Sequence, residues 1–367
     1  MSMLTVIALV AACMFAFNIG ASGSAASMSI VYGSQVIKKR IYALLIAGIG
    51  AVIGAVLGGQ FVTNTLGKGI IPEQILDVKV ACIILIVAAF TIMITNYIGI
   101  PLSTSEVTVG AIIGVGLSYQ QLNIYTILWI ISFWVIVPVV AFLVTFLLEK
   151  LRLRFKDRVH FRPSAKVLAS ILLLTGIIEA MAAGMNNVAN ALGPLVGAGI
   201  VSMEFGLPFM AIIVAFGSIF FGGRVLETNA KKITSLSLGN GIVISSATGS
   251  LVVGASLLGV PIPMTQITTS AIVGISASND ITLVWKQKII HKIAKVWVTS
   301  PIVSLIFAFS LTEVLIQYSF DQVVLLTLAI VATYILVRFR EQPTKVTLRK
   351  GWEHHGKSLY SGSRSRR

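Results

Sequence analysis

Gly99-Ile-Pro101-Leu-Ser103-Thr104-Ser105-Glu106-Val-Thr108-Val-Gly-Ala-Ile-Ile-Gly114 has a second copy later in the chain. That copy is Gly259-Val-Pro261-Ile-Pro-Met-Thr265-Gln-Ile-Thr268-Thr-Ser-Ala-Ile-Val-Gly274, aligned without gaps. Two further blocks repeat in the same order. Gly20-Ala-Ser-Gly-Ser-Ala25 falls on Gly184-Met-Asn-Asn-Val-Ala189, with Gly33 on Gly197 and Gly58-Gly59 on Gly222-Gly223. Trp134, Pro138 and Phe146 fall on Trp297, Pro301 and Phe309. Apolar composition alone gives scattered matches, not shared Gly-x-Pro and Trp-x-x-x-Pro spacings in order. The chain is therefore read as one ancestral half written twice.

The apolar character between these blocks sets the class. Apolar residues make up 56% of the 367 positions and charged residues 11%, against roughly 25% charged in soluble domains. Mean hydropathy is +0.94. Ile41–Gln60, Val80–Ile98, Leu128–Leu148, Val167–Ala183, Phe209–Phe221 and Val323–Val337 are apolar runs, several of them near the length a bilayer span needs. Met1–Phe17 lacks the positively charged start of a signal peptide and reads as the first span. Cys13 and Cys82 fall in or beside apolar segments, so no disulfide scaffold is expected.

The net charge of +15 does not point to nucleic acid, because Lys and Arg concentrate between apolar runs and in the tail. Cytoplasmic membrane loops have that composition. Lys38-Lys39-Arg40 corresponds to Ser202-Met203-Glu204, and Lys286, Lys288, Lys292 and Lys295 correspond to the uncharged region 123–132. Loops basic in one half are not basic in the other, so matching loops lie on opposite sides and the repeat is inverted. The expected fold is an all-α polytopic membrane protein of two inverted-topology repeats with broken or re-entrant helices. About five crossings per half and one extra helix, about eleven in all, fit the apolar runs. The division expected is a first repeat over 1–149, a basic cytoplasmic linker over 150–166 and a second repeat over 167–313. An extra transmembrane helix over 314–338 and a basic cytoplasmic tail over 339–367, lying against anionic lipid, complete it. The amino terminus is then outside and the carboxyl terminus cytoplasmic.

Inverted repeats place substrate at interrupted helices near the membrane midplane. Asn18–Ser29 and Asn186–Gly197 are polar, small-residue stretches between apolar ones, and form the first candidate pair. Gly and Ser let the backbone leave helical geometry, and a short helix starting there aims N–H groups at an anion. A small-residue helix-packing face explains the Gly and Ala, but it does not require Asn18, Asn186, Asn187 and Asn190. The second pair is Pro101–Thr108 and Pro261–Thr269. There Ser103, Thr104, Ser105 and Thr265 either donate to a ligand or cap their own helices. Two carboxylates sit in apolar surroundings, where charge is costly. Glu106 and Glu179 are thus candidates for carrying a coupling proton, against a first-turn dipole role for Glu106 and an ion-pair role for Glu179.

Gly20-Ala-Ser22-Gly23 also fits the Gly-x-Ser-Gly of an intramembrane serine hydrolase, which needs a nearby base. His160, His291, His354 and His355 all fall in loops or the tail, which argues against that chemistry and against a metal site. No phosphate loop is present, so an ion gradient is the expected driving force; no cofactor is expected.

At these motifs the chain resembles the inorganic phosphate transporter (PiT) family, over nearly its whole length apart from the tail. Ala183-Gly-Met-Asn186-Asn187-Val-Ala-Asn190-Ala-Leu-Gly193-Pro194-Leu195 is similar to the family's H-G-A-N-D-V-A-N-A-x-G-P-L. Phe17-Asn18-Ile19-Gly20-Ala21-Ser22 is a partial match to F-N-D-G-A-N, and Pro101-Leu-Ser103-Thr104-Ser105-Glu106 looks like P-x-S-T-T-H. The resemblance implies an oxyanion site where the two signatures meet. The family's acids, tied to sodium coupling, are replaced here by Ile19 and Asn187, and its His by Glu106. The pattern looks more like the CysP-type sulfate permease branch. Sulfate offers only acceptors at neutral pH, so amide, hydroxyl and backbone donors suit it, whereas a carboxylate favours phosphate.

The resulting expectation is a plasma-membrane sulfate importer working by alternating access, coupled to protons in preference to sodium. Asn18, Ser22, Ser24, Asn186, Asn187, Asn190, Ser103, Thr104 and Thr265 would line the anion site, with Glu106 or Glu179 carrying the proton. Expected partners are sulfate or a related oxyanion, the proton, membrane lipid and a second copy in a homodimer, with no nucleic acid. A phosphate symporter, a passive anion channel and an intramembrane hydrolase are the alternatives.

Overall fold

The structure, a computed structural model, describes residues 2–98, 102–156, 163–233, 237–279, 288–319 and 331. Among these residues the chain is helical with no strand. The first half runs α1 (Met3–Ile19), a π-helical turn (Gly20–Ser24), α2 (Ala25–Ser27), α3 (Ser29–Gly33), α4 (Arg40–Asn64) ending in a second π-helical turn (Thr65–Gly69), α5 (Val78–Ile98), α6 (Thr104–Ser118) and α7 (Ile124–Lys156). The second half runs α8 (Ala165–Gly197), α9 (Met203–Phe221), α10 (Gly223–Ile233), α11 (Leu238–Leu257), α12 (Met264–Asn279) and α13 (Lys288–Leu315). Seven of the described helices are long and apolar enough to cross a membrane, and Thr104–Ser118 and Thr299–Leu315 are shorter apolar helices.

The helices bury their small faces and expose their large apolar ones. In α4, Ala43, Ala47, Ala51 and Ala55 are buried at four-residue spacing, while Ile49, Ile53, Val56 and Leu57 are exposed. Water would not tolerate that distribution, but lipid does. Between helices in a bilayer, close approach of small residues replaces hydrophobic burial as the source of association. The α6–α13 and α12–α7 contacts use the same device. A Cβ on Gly114 would overlap the Leu305 carbonyl, and one on Gly274 would overlap that of Phe142.

The pairs of packed helices match under the correspondence read from the sequence, in which α1, α4, α5, α6 and α7 answer to α8, α9, α11, α12 and α13. α4 packs on α8 as α9 packs on α1. Likewise α6 packs on α13 as α12 packs on α7, and α1 on α5 as α8 on α11.

One expectation is modified. The stretch Asn18–Ser29 does interrupt its helix, through the π-helical turn and a break at Met28, but Asn186–Gly197 does not. α8 is continuous over 33 residues. Asn186 directs its amide to the backbone of another segment and leaves its own helix alone, and Pro194 falls only three residues from the carboxyl end, where a lost hydrogen bond matters little. α7 continues to Lys156, into the stretch expected as the basic linker. There Arg152 grips the buried Glu149 at 2.6 and 2.7 Å. The extra helix over 314–338 and the tail over 339–367 lie outside the described residues, apart from the end of α13, the short stretch to 319 and Val331.

Candidate functional site

Two helix starts face each other inside the bundle. α6 begins after Ser103, whose hydroxyl accepts from Glu106 N at 3.5 Å. α12 begins after the turn at Gly259, whose φ of +73° is the left-handed geometry that glycine adopts without strain. That turn brings Pro261–Pro263 back under the bundle, and Trp134 Nε1 donates to the Pro261 carbonyl at 2.8 Å. α8 passes between these starts and presents Asn186 and Asn190, one turn apart, with Asn187 beside them.

The polar groups form one connected, buried cluster. Asn186 Nδ2 donates to the Ile262 carbonyl at 2.8 Å, to Asn187 Oδ1 at 3.1 Å and to Ser105 Oγ at 3.3 Å. Its Oδ1 accepts from Ile262 N at 3.1 Å. Asn190 Nδ2 donates to Ser105 at 3.2 Å and Thr104 at 3.3 Å, and the Thr104 hydroxyl reaches Asn187 Oδ1 at 3.5 Å. Asn186, Asn190 and Ser105 are fully buried. Gly23 of the first π-helical turn closes the cluster, since a Cβ there would stand 3.0 Å from Asn187 Nδ2.

Glu106 occupies the third position of α6, where a capping-box carboxylate would bend back to its own Ser103. It turns instead to Gln266 of α12, whose Nε2 donates to Oε1, and Ser300 of α13 adjoins it. Its Oε2 is buried without a hydrogen-bond partner, as are Asn190 Oδ1 and Ser24 Oγ. Among the described residues no Lys or Arg belongs to the cluster. A half-turn of the Asn190 amide would let Thr104 and Ser105 donate to its oxygen and free its NH2 for a ligand.

Among the residues singled out from sequence, Thr104, Ser105, Asn186, Asn187 and Asn190 come together, with Ser103 capping α6 beside them and Glu106 following Ser105 and bonded to Gln266. Asn18 and Ser22 do not join them: Asn18 Nδ2 donates to Met14 O at 2.9 Å and the Ser22 hydroxyl to Asn18 O at 2.9 Å. Ser24 is fully buried on the same turn with its hydroxyl unpaired. Thr265 is exposed and stands off the cluster. Glu179 is also buried, but it lies two turns before Asn186 on α8, against Gly249 and Ser245 of α11. Among the described residues no cation pairs with it. Gln266, Ser300, Gly23 and the Ile262 backbone are members that residue-type reasoning passed over. For Gln266 a signal existed, because it is the repeat counterpart of Glu106.

Comparison with known proteins completes the description. The sequence profile described as the phosphate transporter family matches residues 19–308. The chain is 44% identical over 318 residues to sulfate permease CysP of Bacillus subtilis, covering 87% of this chain and 90% of that protein. It is 26% identical to a putative phosphate permease of Thermococcus kodakarensis, covering 80% and 93%. A probable low-affinity inorganic phosphate transporter of Bacillus subtilis is 24% identical, covering 76% and 87%. A solved structure titled the sodium-dependent phosphate transporter has the same fold, with a TM-score of 0.72 at 24% identity over 86% of this chain and all of that one. These relatives are transporters and permeases, not enzymes.

Proposed function

The chain belongs to the phosphate transporter family, and from that premise we propose that it is a proton-coupled importer of inorganic sulfate working by alternating access. The observation that carries the reading is the Asn186–Asn190–Ser105–Thr104 cluster between two helix starts. It is rich in amide and hydroxyl groups, has no Lys or Arg among the described residues, and lies where the dipole of α6 favours negative charge. The similarity to a sulfate permease over most of both chains supports sulfate as the anion.

Coupling to protons follows from charge. A sulfate dianion beside an ionised Glu106 would be repelled, whereas a protonated Glu106 removes the repulsion and adds a donor. Sulfate and proton then favour each other's binding, and linkage makes the effect reciprocal. Sodium is disfavoured because the two positions at which the family carries acids hold Ile19, packed among apolar side chains, and Asn187, engaged with Asn186 and Thr104. The matched helix packing of the halves and the burial of the cluster fit inverted repeats in an occluded state. With the site between them, interchange of the halves would open it to one side and then the other.

One observation favours phosphate as a second reading. Glu106 Oε2 is an unpartnered acceptor, and hydrogen phosphate, unlike sulfate, carries a proton to donate. Uptake of labelled sulfate and phosphate into proteoliposomes, under an imposed pH gradient with sodium varied, separates these. Saturable, pH-driven and sodium-independent sulfate uptake is expected. Phosphate uptake without sulfate uptake would reverse the substrate assignment, and flux that neither saturates nor follows the pH gradient would make the protein a channel.

A further inference from the structure

Glu106 and Gln266 are counterparts in the two halves, 160 positions apart, and they bond each other. A residue touches its own counterpart only where the axis relating two copies runs between them, as at the centre of a self-complementary dimer interface. Gly23 and Asn187 are a second such pair, corresponding through the alignment of Gly20 with Gly184, and they are near neighbours: a Cβ on Gly23 would stand 3.0 Å from Asn187 Nδ2. The helix pairs exchange under the same correspondence, α4 on α8 with α9 on α1 and α6 on α13 with α12 on α7.

We infer that the two-fold axis of the halves passes through the Glu106–Gln266 pair, and that Gln266 is the positioning residue of the proton-coupling site. The inference rests on Glu106 being the coupling carboxyl. Gln266 Nε2 holds one carboxylate oxygen, which leaves Oε2 as the atom that receives the proton. When halves interchange, residues away from the axis trade surroundings, but a pair on the axis keeps its contact. The proton carrier therefore stays in place while the access path changes sides. Among the described residues, the other carboxylates on the neighbouring helices α8 and α13 have partners or surroundings elsewhere. Glu313 of α13 accepts from Ser118 at the far end of α6, and Glu179 of α8 faces α11.

An axis makes positions 106 and 266 interchangeable, and that is the test. Wild type, Glu106→Gln, Gln266→Glu and the double exchange Glu106→Gln/Gln266→Glu are reconstituted and also melted in detergent at pH 8. Glu106→Gln should lower pH-driven sulfate accumulation at least tenfold, and the double exchange should restore at least a third of the wild-type level. Gln266→Glu sets two carboxylates together and should melt several degrees lower, with the double exchange recovering at least half of that loss. A double exchange that melts like wild type yet accumulates no more than Glu106→Gln overturns the role of Gln266. Losses in melting temperature that simply add overturn the pairing itself. If wild type accumulates no sulfate under a pH gradient, the proton-coupling reading falls alone, and the melting cycle still decides whether the two residues pair.

Discussion

Asn186 fastens the non-helical segment before α12 by both ends of its amide, one to each backbone group of Ile262. Replacing it by Ala leaves a buried N–H and a buried carbonyl unpaired, at about 1–3 kcal/mol for such a group. Asn186→Ala should therefore melt lower and lose at least tenfold in the initial rate of sulfate uptake, because the α12 start is no longer held against Ser105. The two buried carboxylates should separate in the same assay. Glu106→Gln should abolish accumulation driven by a pH gradient while leaving measurable counterflow, since a neutral amide at 106 fixes the group in its uncharged form. Glu179→Gln should reduce accumulation much less, because Glu179 lies about 10 Å along α8 from Asn186 at the helical rise per residue. Equal losses in both variants would remove Glu106 from its assigned role. Gly23→Ala brings a methyl 3.0 Å from Asn187 Nδ2; a several-fold rise in KM for sulfate is expected, read from uptake against concentration.

At the scale of elements, small residues set the distances between helices, and their effects differ by contact. A Cβ on Gly114 in α6 has no room against the Leu305 carbonyl, whereas one on Gly254 in α11 meets nothing within 4 Å. Gly114→Ala should destabilise by about 1–3 kcal/mol, the usual range for overpacking. Gly254→Ala should stabilise by about 0.5–1 kcal/mol through helix propensity alone. Melting curves of the two variants check the pair, and opposite signs are the expected outcome. The polar stretches illustrate why element boundaries are hard to read from composition. Asn18–Ser29 and Asn186–Gly197 have similar small, polar sequences, yet one breaks and the other stays helical. Gly20 and Gly23 lie within the π-helical turn that interrupts α1, while the corresponding part of α8 runs on through Ala182, Ala183, Ala189 and Ala191, good helix formers, with its Asn side chains bonded outward to other segments.

At the scale of the whole molecule, charge divides the two ends. Arg40 pairs with Glu227 at 3.1 Å, and Arg152 lies against Gly239 at the start of α11, so the first-half basic ends gather with α10 and α11. Lys68 pairs with Glu73 at 2.6 Å on a different loop. By the positive-inside rule we propose that Arg40 and Arg152 face the cytoplasm and Lys68 the outside. In a background with Cys13 and Cys82 replaced by Ser, Lys68→Cys should react with an impermeant thiol reagent on intact cells. Lys39→Cys should react only after permeabilisation; the reverse pattern would invert the topology.

Much of this was legible in the chain itself. Apolar run lengths, sparse charge and the three repeated blocks imply a duplicated helical membrane protein, because lipid requires every backbone group to be satisfied within its own helix. Asn186, Asn187 and Asn190 stood out as polar residues that packing does not require, and Ser103, Thr104 and Glu106 as residues that either meet a ligand or serve their own helix start. Tertiary structure decided which of them meet. The start of α12 at Met264 turns Gln266 inward and leaves Thr265 exposed, a choice made by one residue of helical phase, about 100° at 3.6 residues per turn. Likewise Asn18 and Ser22 satisfy their own helix, and Glu106 finds a partner in the other half. Sequence specifies which side chains need a partner, but partners so far apart in the chain are chosen only when helices pack.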